Sequence, residues 1–353
     1  MSVGEFLKPW IPHLTPYKAG VTLPGLVKLA SNENNWGPSP KVVEALKGAA
    51  VDVYRYPYKD EEVRSAVAKY AGVSVDNVVL GNGSDELIDL ILKAFRGPAL
   101  SFNPSFSEYR IISQTLGTEF WEVDLLPDFS LPVENFGKIG GKANIIFVAT
   151  PNNPTGGVVS QKDLVSILKL GKITVVDEAY FEFCGETIVP LIKKHPNLIV
   201  LRTLSKAFGL AGLRIGYAVS NPEIIACLMA AKPPFNINYL AAEAALAALA
   251  DIPYMKKTTG AIIRDRPRLM RGLSECFTAY PSEANFVFAD VSPLTAEEAY
   301  RFFVGKGFVV RSFGRFPNFG GEYIRVTVGT TDETSGFLKV LDGLRRSRKQ
   351  RQH

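Results

Sequence analysis

With 353 residues, 46% of them apolar and 21% charged, the chain can bury more than one core and is far from a disordered or coiled-coil composition. The formal charge of +5 is small for this length and partly sits in Arg345, Arg346, Arg348, Lys349 and Arg351, read as a solvated end; without a basic stripe or base-stacking elements, a nucleic-acid surface is not expected. Cys184, Cys227 and Cys276 are widely spaced and in no CxxC arrangement, which excludes a disulfide framework and a zinc site and suits a reducing cytoplasm.

The N-terminal stretch shows no basic segment followed by an apolar run, and no apolar run reaches the roughly 20 residues that span a bilayer, so neither export nor membrane insertion is expected. The first 50 or so residues are rich in Pro, Gly and Asn and read as an ordered arm. From Asp60 an acidic first turn followed by Val63, Val67 and Tyr70 predicts an amphipathic helix. Short apolar runs then alternate with helical stretches: Val78 to Leu80, Ile145 to Ala149, Ile173 to Val176, Leu198 to Leu201 and Ile215 to Val219. Such runs predict strands buried on both faces of a mainly parallel α/β sheet, whose ligands gather beyond the carboxyl ends.

Four polar signatures stand at those ends. Gly81-Asn82-Gly83-Ser84-Asp85-Glu86 opens a helix; it is either a plain turn or a cradle whose helix N-terminus holds a phosphate. Thr150-Pro151-Asn152-Asn153-Pro154-Thr155-Gly156 is either an Asx turn or a rigid loop that offers an amide donor to a ligand oxygen. Asp177, next to a buried strand and followed by Glu178-Ala179-Tyr180, either caps a turn or pairs with a cationic ring nitrogen. Lys206 lies in Arg202-Thr203-Leu204-Ser205-Lys206 before a Gly-rich segment ending in Arg214; it is either a surface residue or a desolvated amine made nucleophilic by nearby cations. Together the four supply a phosphate cradle, a donor to a phenolic oxygen, an acid for a pyridine nitrogen and an amine for an aldehyde. That inventory describes pyridoxal 5'-phosphate. No metal is expected.

Further along, helices are predicted near Tyr239 to Leu249, from about Pro253 with a kink at Pro267, near Ala296 to Lys306 and from Asp332 to Arg345. Strands are predicted at Asn285 to Asp290, Phe308 to Arg311 and Tyr323 to Val328.

On Leu14-Thr15-Pro16-Tyr17, Asn32-Glu33-Asn34, Arg55-Tyr56-Pro57, Gly83-Ser84-Asp85-Glu86, the Asn-Asn-Pro-Thr-Gly loop, Asp177 to Tyr180, Leu204-Ser205-Lys206 and Ile324-Arg325-Val326, the sequence resembles the fold type I aminotransferases. Within them it is similar to the histidinol-phosphate aminotransferase group. The resemblance implies a mainly parallel seven-stranded sheet in a large domain (46–260), a smaller α+β domain (261–353), and an arm (1–45) that joins the small domain. It implies that Lys206 holds the cofactor as a Schiff base and serves as base, that Asp177 pairs with the ring nitrogen, that Asn153 and Tyr180 reach the phenolic oxygen, and that Phe106 stacks on the ring. Gly83, Ser84, Asp85, Thr203, Ser205 and Arg214 would surround the phosphate, and Tyr56 would reach it from a second subunit of a homodimer with shared sites. Tyr17, Asn34, Arg311 and Arg325 would face the substrate. The expected partners are a small-molecule amino donor and a 2-oxo acid, exchanged by ping-pong kinetics; an aromatic aminotransferase and a threonine-phosphate decarboxylase share the same cofactor residues. Asn35-Trp36 and Phe106 depart from the commoner residues of the group, and an indole at the mouth of the site would favour aromatic or imidazole-bearing substrates.

Overall fold

The computed structural model describes residues 3–14 and 20–350. In chain order the strands are β1 (Val27–Leu29), β2 (Val78–Gly81), β3 (Ala99–Asn103), β4 (Phe120–Asp124), β5 (Ile145–Ala149), β6 (Ile173–Asp177), β7 (Leu198–Thr203), β8 (Gly216–Ser220), β9 (Thr278–Tyr280), β10 (Phe286–Asp290), β11 (Phe308–Gly314) and β12 (Tyr323–Thr327). They form a seven-stranded sheet ordered β2-β8-β7-β6-β5-β3-β4 and a five-stranded sheet ordered β1-β11-β12-β10-β9.

In the larger sheet only β8 runs against its neighbours, so the carboxyl ends of β2, β3, β5, β6 and β7 share one edge. The strands β2, β5, β7 and β8 are buried throughout, as expected where helices cover both faces of a parallel sheet. All five predicted runs of this sheet are strands. Its other two members, β3 and β4, were not read from the sequence: β3 carries Ser101, whose hydroxyl donates to the Phe147 carbonyl, and β4 is a half-exposed edge.

The helix predicted from Asp60 spans Asp60–Ala71 and ends on left-handed Gly72, and Val63 and Val67 are buried. The long helix Ile252–Ser274 continues through Pro267. The smaller sheet contains the three predicted C-terminal strands together with β9 and the arm strand β1, which pairs parallel to β11. The arm is therefore stitched into a strand 281 residues further along the chain.

Candidate active site

The shared edge of the larger sheet gathers the four signatures. At the end of β2, Gly83 adopts φ +80°, a conformation that costs glycine little, and begins the helix Gly83–Ala94. The backbone of Gly216 in β8 lies so close that a Cβ there would sit 2.7 Å from the Gly83 carbonyl carbon and Ser84 nitrogen. Two glycines thus let the helix N-terminus reach the sheet edge with its amides open for an anion. Arg214, itself left-handed at φ +55°, donates through Nη2 to Asp85 Oδ2 at 2.8 Å, which fixes a guanidinium over this turn.

Ser205 is buried, and its hydroxyl oxygen has no hydrogen-bond partner in the protein. Its backbone N–H donates to Thr203 Oγ1, whose hydroxyl donates to the Ile215 carbonyl. A buried hydroxyl without a partner costs free energy unless a bound group supplies one. Beside a helix N-terminus and an arginine, a phosphate fits that need.

Asp177 ends β6 and is 5% exposed. Its Oδ2 accepts from the Tyr109 hydroxyl at 2.7 Å and its Oδ1 from the Ala179 N–H at 3.0 Å. Burial pushes this carboxyl up to about 6, while those two hydrogen bonds oppose the rise. A cation within reach would restore the ionised form. Lys206, just beyond β7, donates to the Ser31 carbonyl at 3.3 Å. Burial first, then the positive charges of Arg325 and Arg214, hold its amine down to about 8, where a neutral, nucleophilic fraction exists at physiological pH.

Tyr180 is buried and its hydroxyl accepts from Asn32 Nδ2 at 2.9 Å. The Asn153 side-chain carbonyl accepts from Arg325, which orients the amide and leaves its N–H₂ end as the donor. Arg325 is 6% exposed, also donates to the Ala30 carbonyl at 2.9 Å, and lies over the rings of Phe286 and Phe313. Arg311 stands directly opposite Arg325 in the β11–β12 pair, so two guanidinium groups share one face. Phe106 packs edge-on against Tyr109.

Of the remaining predicted site residues, Asn34 is engaged by protein partners beside Lys206, Tyr56 lies on the surface, and Tyr17 is undescribed. Asn34 is buried against the protein: its amide donates to the Ala207 carbonyl and Thr258 hydroxyl, and its carbonyl accepts from the Trp36 N–H. It ties the arm to the Lys206 loop, where substrate contact was expected. Tyr56 is 75% exposed and stacks on Phe235. Tyr17 lies outside the described residues. Trp36 is 38% exposed.

Tyr109 and Asn32 were missed in the sequence. Neither lies in a signature at a strand end; Asn32 acts from the arm, and nothing in its local sequence marks which of Asn32, Asn34 and Asn35 turns toward Tyr180. Behind Tyr180, Glu178 accepts from Arg202 Nε at 3.0 Å and Nη2 at 2.8 Å and from the Ile188 N–H at 2.6 Å. This buried pair, with both arginine N–H groups on Glu178 Oε2, braces the ends of β6 and β7. Among the described residues no group of three or more His, Cys, Asp or Glu could hold a metal.

The model of the family described as aminotransferase class I and II matches residues 24–340. A histidinol-phosphate aminotransferase of Methanothermobacter thermautotrophicus is 38% identical over 334 residues, covering 90% of this chain and 89% of that protein. A chloroplastic histidinol-phosphate aminotransferase of Nicotiana tabacum is 36% identical, covering 95% and 86%. The crystal structure of histidinol-phosphate aminotransferase from Sinorhizobium meliloti in complex with pyridoxal-5'-phosphate superposes with a TM-score of 0.86 at 26% identity, covering 97% of this chain and 98% of that one. With the family matched along most of its length, and a glycine-opened helix N-terminus, a buried acid and a buried lysine gathered at its sheet edge, this chain belongs to the class I and II aminotransferases, pyridoxal-phosphate-dependent transaminases.

Proposed function

We propose that this transaminase takes the amino group of L-histidinol phosphate and passes it to 2-oxoglutarate, as a step in histidine biosynthesis. The observation that carries the reading is the pairing of Arg311 with Arg325 on one face, with the Arg325 guanidinium fixed beside Asn153. Planar guanidinium groups bind phosphate and carboxylate alike through parallel hydrogen bonds, which suits a phosphorylated donor and a dicarboxylic acceptor alternating in one site. The relatives named for this donor, at 38% and 36% identity, support it.

Pyridoxal phosphate supplies an electrophilic carbon for amines and a ring that withdraws electrons. Lys206 would hold it through its amine, and the free Nζ, when not so engaged, would carry the proton off the donor's amine-bearing carbon. Asp177 would pair with the ring nitrogen, Asn153 and Tyr180 would hydrogen-bond the phenolic oxygen, and Phe106 would cover one face of the ring. The Gly83-Ser84-Asp85 turn with Thr203, Ser205 and Arg214 would hold the phosphate. Tyr17 joins Arg311 and Arg325 at the substrate's anion, and Trp36 stands at the mouth. The larger sheet belongs to the 46–260 unit and the smaller sheet to 261–353 with the arm.

The working form in this reading is a homodimer in the cytoplasm. Tyr56, with Tyr54, Tyr58 and Phe235, leaves an exposed aromatic patch of the kind that marks an interface, and Tyr56 crosses it to the partner's phosphate. Mixing Lys206→Ala and Tyr56→Ala subunits should regain activity that neither has alone, because one hybrid site is intact; no recovery on subunit exchange contradicts a shared site. The donor is tested by kcat/KM for L-histidinol phosphate, L-phenylalanine and L-threonine phosphate with 2-oxoglutarate. Preference for the first, without release of carbon dioxide from the third, is expected; preference for phenylalanine overturns the donor and retains the transaminase.

A further inference from the structure

Tyr109 is fully buried in the helix Glu108–Leu116, which follows the carboxyl end of β3. It touches two of the groups placed around the cofactor ring. Its hydroxyl donates to Asp177 Oδ2 at 2.7 Å. Its ring stacks on Phe147 of β5, with centroids 4.8 Å apart and an 11° angle, and meets the edge of Phe106 at 5.5 Å and 87°. The backbone fixes the same turn: the Tyr109 N–H donates to the Phe106 carbonyl at 3.3 Å, and the Ser113 hydroxyl donates to the Tyr109 carbonyl at 2.7 Å. The side chain is therefore clamped on one face by Phe147 of the sheet, with its hydroxyl on Asp177 and its ring nearly perpendicular to Phe106.

We propose that Tyr109 is a positioning residue for the transamination: its hydroxyl keeps Asp177 ionised and aimed at the ring nitrogen, and its ring braces Phe106 over the ring face. This rests on the roles proposed above for Asp177 and Phe106. The physical reason is the competition at Asp177, where burial favours the neutral acid and the hydrogen bonds from Tyr109 and Ala179 favour the carboxylate. Burial also holds the Tyr109 phenol well above its ordinary value, so the hydroxyl remains a donor at any working pH. Without it, Asp177 retains the single Ala179 N–H and binds a proton more readily. A neutral acid no longer stabilises a cationic ring nitrogen, and a ring without that charge leaves the lysine-linked nitrogen more basic.

Tyr109→Phe removes one oxygen and keeps the ring, so the fold and cofactor content should be unchanged. The visible band of the lysine-linked cofactor should titrate at a higher pH than in the wild type, and kcat should fall about tenfold with KM nearly constant, the loss typical of one hydrogen bond to a charged group. In an Asp177→Asn background the same replacement should add no further shift or loss, because Tyr109 acts through the carboxylate. An unchanged titration and kcat in Tyr109→Phe overturn the inference, as do equal losses in both backgrounds, which a merely structural role would give. If Asp177→Asn by itself leaves titration and turnover at wild-type values, the reading of Asp177 fails first and takes this inference with it.

Discussion

Lys206→Ala is expected to fold normally and to turn over about 10⁴-fold more slowly than the wild type, since in the proposed reading it removes both a nucleophile and the base that moves the proton. The lysine follows Thr203 at the end of β7 and the buried Ser205, and its Nζ rests 3.3 Å from the Ser31 carbonyl of the arm. Added small amines should restore part of the rate by replacing the lost base; turnover near the wild-type value in the mutant would contradict the assignment.

The same amine gives a pH signature in the cofactor-free protein. Its folded value of about 8 lies below the ordinary 10.5, so between those values the unfolded chain binds more protons than the folded one, and this contribution to stability rises with pH across that window. The stability difference between wild type and Lys206→Met, measured by urea unfolding, should therefore move in favour of the wild type from about pH 8 to pH 10. A difference that is flat across the window contradicts a depressed lysine.

Asp177→Asn should lower kcat by about 10²- to 10³-fold, the scale of removing one preorganised electrostatic partner from a water-poor site. The amide has nearly the carboxylate's shape, so the Tyr109 and Ala179 contacts can be kept in part while the charge is lost. Cofactor retention should be far less affected, because Lys206 and the cradle around Gly83, Ser205 and Arg214 are intact. A rate close to wild type would show that the ring nitrogen needs no anionic partner here.

The parts of this architecture that were legible in the sequence are those governed by local pattern. Runs such as Ile145 to Ala149 are apolar throughout because helices cover both faces, and Asp177 and Lys206 stand out as ionisable residues at or just past the ends of buried strands. The strand β1 was illegible for the opposite reason: its three residues are ordered by pairing with Phe308 to Val310, a partner no local pattern reveals. Polar Ser101 hid β3 in the same way, since its hydroxyl is satisfied only across the sheet.

The active site divides along the same line. Lysine, aspartate, asparagine and arginine in motifs are recognisable by chemistry, whereas Tyr109 and Asn32 act through side-chain direction. Asn32 takes a left-handed backbone at φ +56° and is held by Thr327 of β12 and by Asn285, which immediately precedes β10, so its reach to Tyr180 exists only once both sheets are assembled. Asn34 of the same motif turns instead to the Ala207 carbonyl and the Thr258 hydroxyl.

The most direct test is the absorbance of the purified protein, reconstituted with pyridoxal phosphate, before and after L-histidinol phosphate and then 2-oxoglutarate. The expected result is a visible band of lysine-linked cofactor that gives way to the amine form on adding the donor and returns on adding the acceptor, with the lysine-linked band absent from Lys206→Ala. No cofactor band after reconstitution, or the same lysine-linked band in the mutant, would contradict the assignment of this chain as a transaminase built on Lys206.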